Sequence, residues 1–157
     1  HQMMQRVKFY ISYTLKIGTL TSTSGLIASV LIQIYGRFFL ENAPPWTEEA
    51  SRIFFIYAIS FAAGLAYQQN YFVSLDLISD RLTAKQNLLL EKAVHISIFA
   101  LFLIMAIYSI KYIQIGFSEY SPSLGINMAV SFSSMLLLAA SICFFSGIKI
   151  IHLFRSS

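Results

Sequence analysis

The chain has 157 residues, of which 57% are hydrophobic and only 11% charged, with 11 Lys and Arg against 7 Asp and Glu. A soluble globular domain carries roughly 25% charged residues, so this composition excludes water as the main solvent. The net charge of +4 does not point to nucleic acid, because the cations flank the apolar stretches and form no continuous patch.

A bilayer core about 30 Å thick is crossed by about 20 apolar helical residues. Four stretches free of charged side chains meet that need, at 17–36, 53–75, 93–110 and 120–148. Runs such as Leu88-Leu89-Leu90 and Met135-Leu136-Leu137-Leu138-Ala139-Ala140 lack the apolar/polar alternation of a barrel strand. Helices then remain as the way to satisfy the backbone in lipid. The expected fold is an all-α integral membrane domain over 1–157, with spans at approximately 17–39, 50–70, 90–115 and 126–150. The first apolar segment is too long for the h-region of a cleavable leader.

In the first span, Gly18, Ser22, Gly25 and Ser29 recur along one side. In the second, Ser60 and Gly64 have the small-xxx-small spacing that lets helix backbones approach closely. Two uses of these packing faces are open, the chain's own bundle or another subunit. Between the two spans, Pro44 and Pro45 end the first helix and delay the second. Thr47 is the expected N-cap, with Glu48 and Glu49 in a first turn whose dipole favours carboxylates.

After the second span, Tyr71, Leu75, Ile78 and Leu82 recur at helical spacing beside polar Ser74, Ser79, Asp80 and Arg81, predicting a short amphipathic helix along the interface. The stretch Val7-Lys8-Phe9-Tyr10-Ile11 is a second segment of that kind. Thr83 and Gln86 have capping-box spacing and start a helix expected to run from about 84 to 115, long enough to tilt or project beyond the hydrocarbon. Cys143, in the fourth span, is the only cysteine, which excludes an intrachain disulfide and is read as packing.

Orientation follows from the cations. If the N-terminus, the segment between spans two and three, and the C-terminus share a side, that side holds Arg6, Lys8, Lys16, Arg81, Lys85, Lys92, Lys149 and Arg155. The other holds Arg37, Arg52 and Lys111. The bias makes the first side, with both termini, cytoplasmic. Aromatic residues agree, with Tyr35, Phe38, Trp46, Tyr112 and Tyr120 at the outer boundary and Tyr10, Tyr13, Tyr67 and Tyr71 at the inner one.

Catalysis or ion pumping at membrane depth requires ionisable residues in mid-span, and the four stretches contain no Asp, Glu, Lys or Arg. No catalytic residue, metal site or cofactor site is assigned. A membrane cytochrome needs inward-facing histidine pairs. His95 and His152 both fall near the inner boundary, where they read as partly solvated interfacial residues. The concentrated polar group is Arg37, Glu41, Trp46, Glu48, Glu49 and Arg52 at the first outer loop. Glu48 and Arg52 form an i, i+4 pair worth about 0.2–0.5 kcal/mol, and Trp46 reads as an interfacial anchor. Arg37 is costly in lipid unless it snorkels or meets a carboxylate, and Glu48 or Glu49 is the expected partner, within the chain or at a subunit interface.

At these residues the sequence resembles the small membrane (Q) subunit of tripartite ATP-independent periplasmic (TRAP) transporters. The resemblance rests on Ile34-Tyr35-Gly36-Arg37-Phe38, on Trp46-Thr47-Glu48-Glu49-Ala50-Ser51-Arg52, and on Phe61-Ala62-Ala63-Gly64. It extends through Val73-Ser74-Leu75-Asp76-Leu77-Ile78 and Ser123-Leu124-Gly125-Ile126. Two positions depart from the family pattern: Tyr71 or Phe72 stands where a histidine is common, and Asn127 where a proline is.

The resemblance implies a non-enzymatic subunit of the bacterial inner membrane, paired with a large membrane subunit (M) that carries the substrate and sodium sites. A periplasmic binding protein (P) would deliver an organic acid such as sialic acid or a C4-dicarboxylate. The small subunit would brace the large one, and its outer loops would help dock the binding protein. The competing readings are a small membrane cytochrome or redox enzyme, which predicts a coloured protein, and a self-associating channel, which predicts transport by the chain alone.

Overall fold

The computed structural model describes residues 2–40, 44–69 and 83–155. The expected interfacial helix around 71–82, with Arg81, and the loop positions Glu41 to Ala43 lie outside them. Four helices follow in chain order: α1 (Gln2–Phe39), α2 (Trp46–Gln68), α3 (Ala84–Gly116) and α4 (Ala129–Arg155). Each is long and apolar enough to cross a membrane.

The 38 residues of α1 extend over ~57 Å at 1.5 Å per residue, nearly twice a hydrocarbon core. The stretch Val7 to Ile11, expected as a separate interfacial segment, is the first part of this unbroken helix. Nothing in 2–39 is a proline, and five hydroxyls of α1 are absorbed locally. Ser12, Thr14, Thr19, Thr21 and Ser29 each donate to the carbonyl four residues earlier, at 2.7–2.9 Å. Such back-bonding satisfies these five donors where no water is at hand.

Helix α2 starts two residues sooner than an N-cap at Thr47 predicts. Pro45 occupies the N-cap position, since its missing N–H costs nothing there. Thr47 lies fully buried inside the first turn, where its hydroxyl donates to Pro44 O at 2.7 Å. At α3 the expected start holds: Gln86 Oε1 accepts the Thr83 N–H at 3.1 Å and the Thr83 hydroxyl at 2.9 Å.

The helices form an open row, α1 on α2, α2 on α4, α4 on α3. Contacts fix their directions. Gly18 and Gly25 on α1 face the rings of Phe61 and Phe54 on α2, so that two glycines two turns apart receive two rings two turns apart, in antiparallel order. Gly64 of α2 faces Ser141 of α4, while Tyr57 donates to Val130 O at 2.7 Å and lies 3.0 Å from Ser133 Oγ. These pairs run parallel. On the far side Gly116 of α3 meets the backbone of Ala129 and the Cys143 thiol points at Phe99 O, 3.9 Å away, an antiparallel match.

The small-residue faces of α1 and α2 are therefore spent inside the chain. Ser22, Ser29 and Ser60 are buried as well. The core is Leu15, Ala63, Tyr67, Ile142 and Phe145, gathered where α1, α2 and α4 meet. The row leaves its flanks bare: Leu20, Ile27 and Leu31 on α1 and Leu101, Ile104 and Ile107 on α3 are exposed. Both described termini share one end of the row with the end of α2 and the start of α3. The opposite end carries the loop before α2 and the 117–128 connection.

Candidate functional site

Polar side chains collect at the two ends of the row, and the middle is left to apolar residues and locally satisfied hydroxyls. At the loop end the residues before and in the first turn of α2 meet the α3–α4 connection. Glu49 is the bridging group. Its carboxylate accepts the Ser121 hydroxyl, the Ser123 N–H at 3.2 Å and the Leu124 N–H at 3.0 Å. One side chain thus holds three donors of a loop more than 70 residues away, and the converging N–H groups act as a small anion-binding concavity.

The loop is built to present those donors. Gly125 has φ of +64°, a left-handed conformation that glycine adopts without steric cost. That turn lets the Gly125 N–H reach Ser121 O at 3.0 Å and the Ser121 N–H reach Ile126 O at 2.8 Å. Asn127 closes the loop, donating to Phe117 O at 2.9 Å and accepting the Ala129 N–H at 3.0 Å. A proline at this position has no side-chain donor or acceptor and would make neither bond, so the departure at Asn127 carries a structural role of its own.

The remaining members of the predicted outer group stay apart. Arg52 pairs with Glu48 at 3.4 Å, both well exposed, a geometry in the range worth little to stability. Trp46 is 41% exposed, at the start of α2. Arg37 is exposed in the last turn of α1, where a cation suits the negative end of the helix dipole. Among the described residues it has no ion pair. The expected Arg37 partners are committed elsewhere: Glu48 to its own helix and Glu49 to the 121–124 loop.

At the terminal end a second cluster joins all four helices. The Tyr67 hydroxyl lies 2.7 Å from His95 Nδ1, both residues buried, and Glu91 approaches the other ring nitrogen at 3.9 Å. Lys149 of α4 donates to Tyr67 O at 3.3 Å and stacks over the Tyr67 ring at 4.7 Å from its centre. The Ser12 hydroxyl of α1, shared with Lys8 O, also lies 2.7 Å from the Gln68 side-chain amide. His95, expected to be partly solvated, is only 2% exposed, because α3 turns that face toward α2 and α4. His152 is exposed, so the two histidines do not form an inward-facing haem pair. Among the described residues no three His, Cys, Asp or Glu side chains converge as a metal site.

Neither the Glu49 latch nor the Tyr67–His95 pair has a local sequence signal, since their partners lie 28 to 75 residues away. The arrangement can hold helices and loops in register.

The sequence profile of the family described as "Tripartite ATP-independent periplasmic transporters, DctQ component" matches residues 26–156. That region takes in α2, α3, α4 and the last third or so of α1. A Haemophilus influenzae protein described as a TRAP transporter small permease protein is 22% identical over 147 residues, spanning 92% of this chain and 89% of its own length.

Proposed function

The chain belongs to the DctQ component family of tripartite ATP-independent periplasmic transporters, and from that premise we propose that it is the small, non-catalytic membrane subunit of a sodium-driven organic-acid uptake system. Its partners on this reading are a large membrane subunit, which holds the substrate and sodium sites, and a periplasmic binding protein that delivers sialic acid or a C4-dicarboxylate. The chain itself carries no cofactor. Both termini face the cytoplasm of a bacterial inner membrane, as the eight cations on that side favour.

The observation that carries the proposal is the open row. A subunit that worked alone would enclose a pathway between its helices or place titratable groups at mid-depth. Here the helices lie side by side, the charges sit at the ends, and the bare flanks of α1 and α3 offer apolar surface to a large neighbour. Such a slab suits a stationary brace against which the transport domain of the partner moves. At the loop end, Arg37, Trp46 and the Glu49-held loop would form the part of the docking surface contributed by this chain.

Co-expression tests the proposal. The chain should co-purify in mild detergent with the large subunit of its own transport system at a constant ratio. Purification of each alone, with no shared peak on size exclusion, would contradict it.

A further inference from the structure

Because α1 packs mainly on α2, a groove of about 370 Å³ stays open between α1 and α4, floored by Phe61. Its walls are apolar: Ile11 and Leu15 on one side, Leu137, Ala140 and Phe144 on the other. Of its three hydroxyl-bearing residues, Thr14 donates to Tyr10 O and Ser141 to Leu138 O, while the exposed Tyr10 ring lines the wall on the Lys8 side. The groove therefore offers mainly hydrocarbon surface. At 1.5 Å per residue its α4 wall is roughly 10 Å long, enough for part of an acyl chain.

The mouth of the groove at the terminal end is basic. Lys8 lies one turn before Ile11 on α1, and Lys149 five residues after Phe144 on antiparallel α4. Lys149 feels the Glu91 carboxylate and, less strongly, the repulsion of Lys8, and it is held by Tyr67 O at 3.3 Å and over the Tyr67 ring, so the two lysines leave a net positive charge at this mouth. Like charges gathered at the end of an apolar channel are stabilised by an anion with a hydrocarbon tail, and lysine stems reach such a headgroup level by snorkelling. The geometry points to a binding site for one anionic phospholipid, its acyl chain in the α1/α4 groove and its phosphate between Lys8 and Lys149. The site requires only that the chain lies in a bilayer and is independent of any transport role.

Native mass spectrometry tests this on the full chain, released from mixed micelles holding equal phosphatidylglycerol and phosphatidylcholine. The wild type should retain one phosphatidylglycerol in preference to phosphatidylcholine. Lys8→Gln should lower that retention about fivefold, the value of one lysine near an anionic surface. Ala140→Phe, which fills the groove, should lower retention of both lipids, and Arg155→Gln, an exposed cation at the same end, should leave retention unchanged. Unfolding temperatures in phosphatidylcholine alone confirm that the variants are folded. Equal retention of the two lipids by the wild type, or undiminished retention by Lys8→Gln, would overturn the site. So would release of the lipid when the large subunit is added, because the groove would then belong to the partner.

Discussion

Gly64→Ala puts a methyl group into the tightest junction of the row. A Cβ built there lies 2.7 Å from Ser141 Oγ, 2.8 Å from Ser141 Cβ and 3.0 Å from Leu15 Cδ1. The leucine tip can move. Ser141 cannot, since its side chain is short and its hydroxyl is tied to Leu138 O at 2.9 Å, so α2 and α4 must separate by several tenths of an ångström. Overpacking of this kind costs about 1–3 kcal/mol, against which alanine gains about 0.8–1.0 kcal/mol of helix propensity over glycine. The net expectation, from the middle of those ranges, is a loss of about 1 kcal/mol.

Gly147→Ala is the matched control. The nearest atom to its Cβ is Phe99 Cε2 at 3.6 Å, an ordinary contact, so the propensity gain stands uncompensated and the variant should be more stable by up to about 1 kcal/mol. Thermal unfolding in detergent, followed through Trp46, the single tryptophan, separates the two. At roughly 2–4 °C per kcal/mol for a chain of this size, the variants should shift Tm in opposite directions. A Gly64→Ala chain as stable as the wild type, or equal shifts in both variants, would refute the α2–α4 packing described here.

Tyr67→Phe removes the hydroxyl beside His95 Nδ1 while leaving the Tyr67 carbonyl that Lys149 uses. A buried polar atom left without a partner costs about 1–3 kcal/mol, so Tm should fall, and an unchanged Tm would mean that water reaches the histidine. Glu49→Gln offers one acceptor oxygen in place of two, and amide exchange at Ser123 and Leu124 should quicken with no change in mid-helix amides. Equal protection in both proteins would show that the loop holds itself. Arg37→Ala should lower the yield of co-purified large subunit more than Lys111→Ala, since Lys111 rests over the Tyr108 ring at 5.4 Å and can snorkel freely. Equal, small losses would reduce the outer cation to an interface anchor.

Much of the fold could be read from residue order because charge placement is a one-dimensional signal. Lys16 and Arg37, Arg52 and Asp76, Lys92 and Lys111, Glu119 and Lys149 bracket the spans directly, and the Thr83/Gln86 spacing located the start of α3 to the residue. The glycines and serines of α1 and the Ser60/Gly64 pair marked close packing, but they could not say that Phe61, Phe54 and Ser141 fill the space. Spans that are apolar on every face carry little information about which face is covered. That is why His95 looked partly solvated and why the row could not be told from a closed bundle. Thr47 misled because the proline before it, which needs no cap partner, took the capping position. Glu49 was noticed for its place at the helix dipole, yet its donors at Ser121, Ser123 and Leu124 depend on how α4 returns beside α2, a fact of packing that no spacing within either segment encodes.

The central claim is that this chain braces a transporter and does not transport by itself. Vesicles containing the chain alone, the large subunit alone, or both, charged with a sodium gradient and supplied with the loaded binding protein, test it most directly. Radiolabelled organic acid should accumulate only where both membrane subunits are present. Uptake by vesicles that hold this chain without its companion would contradict the account.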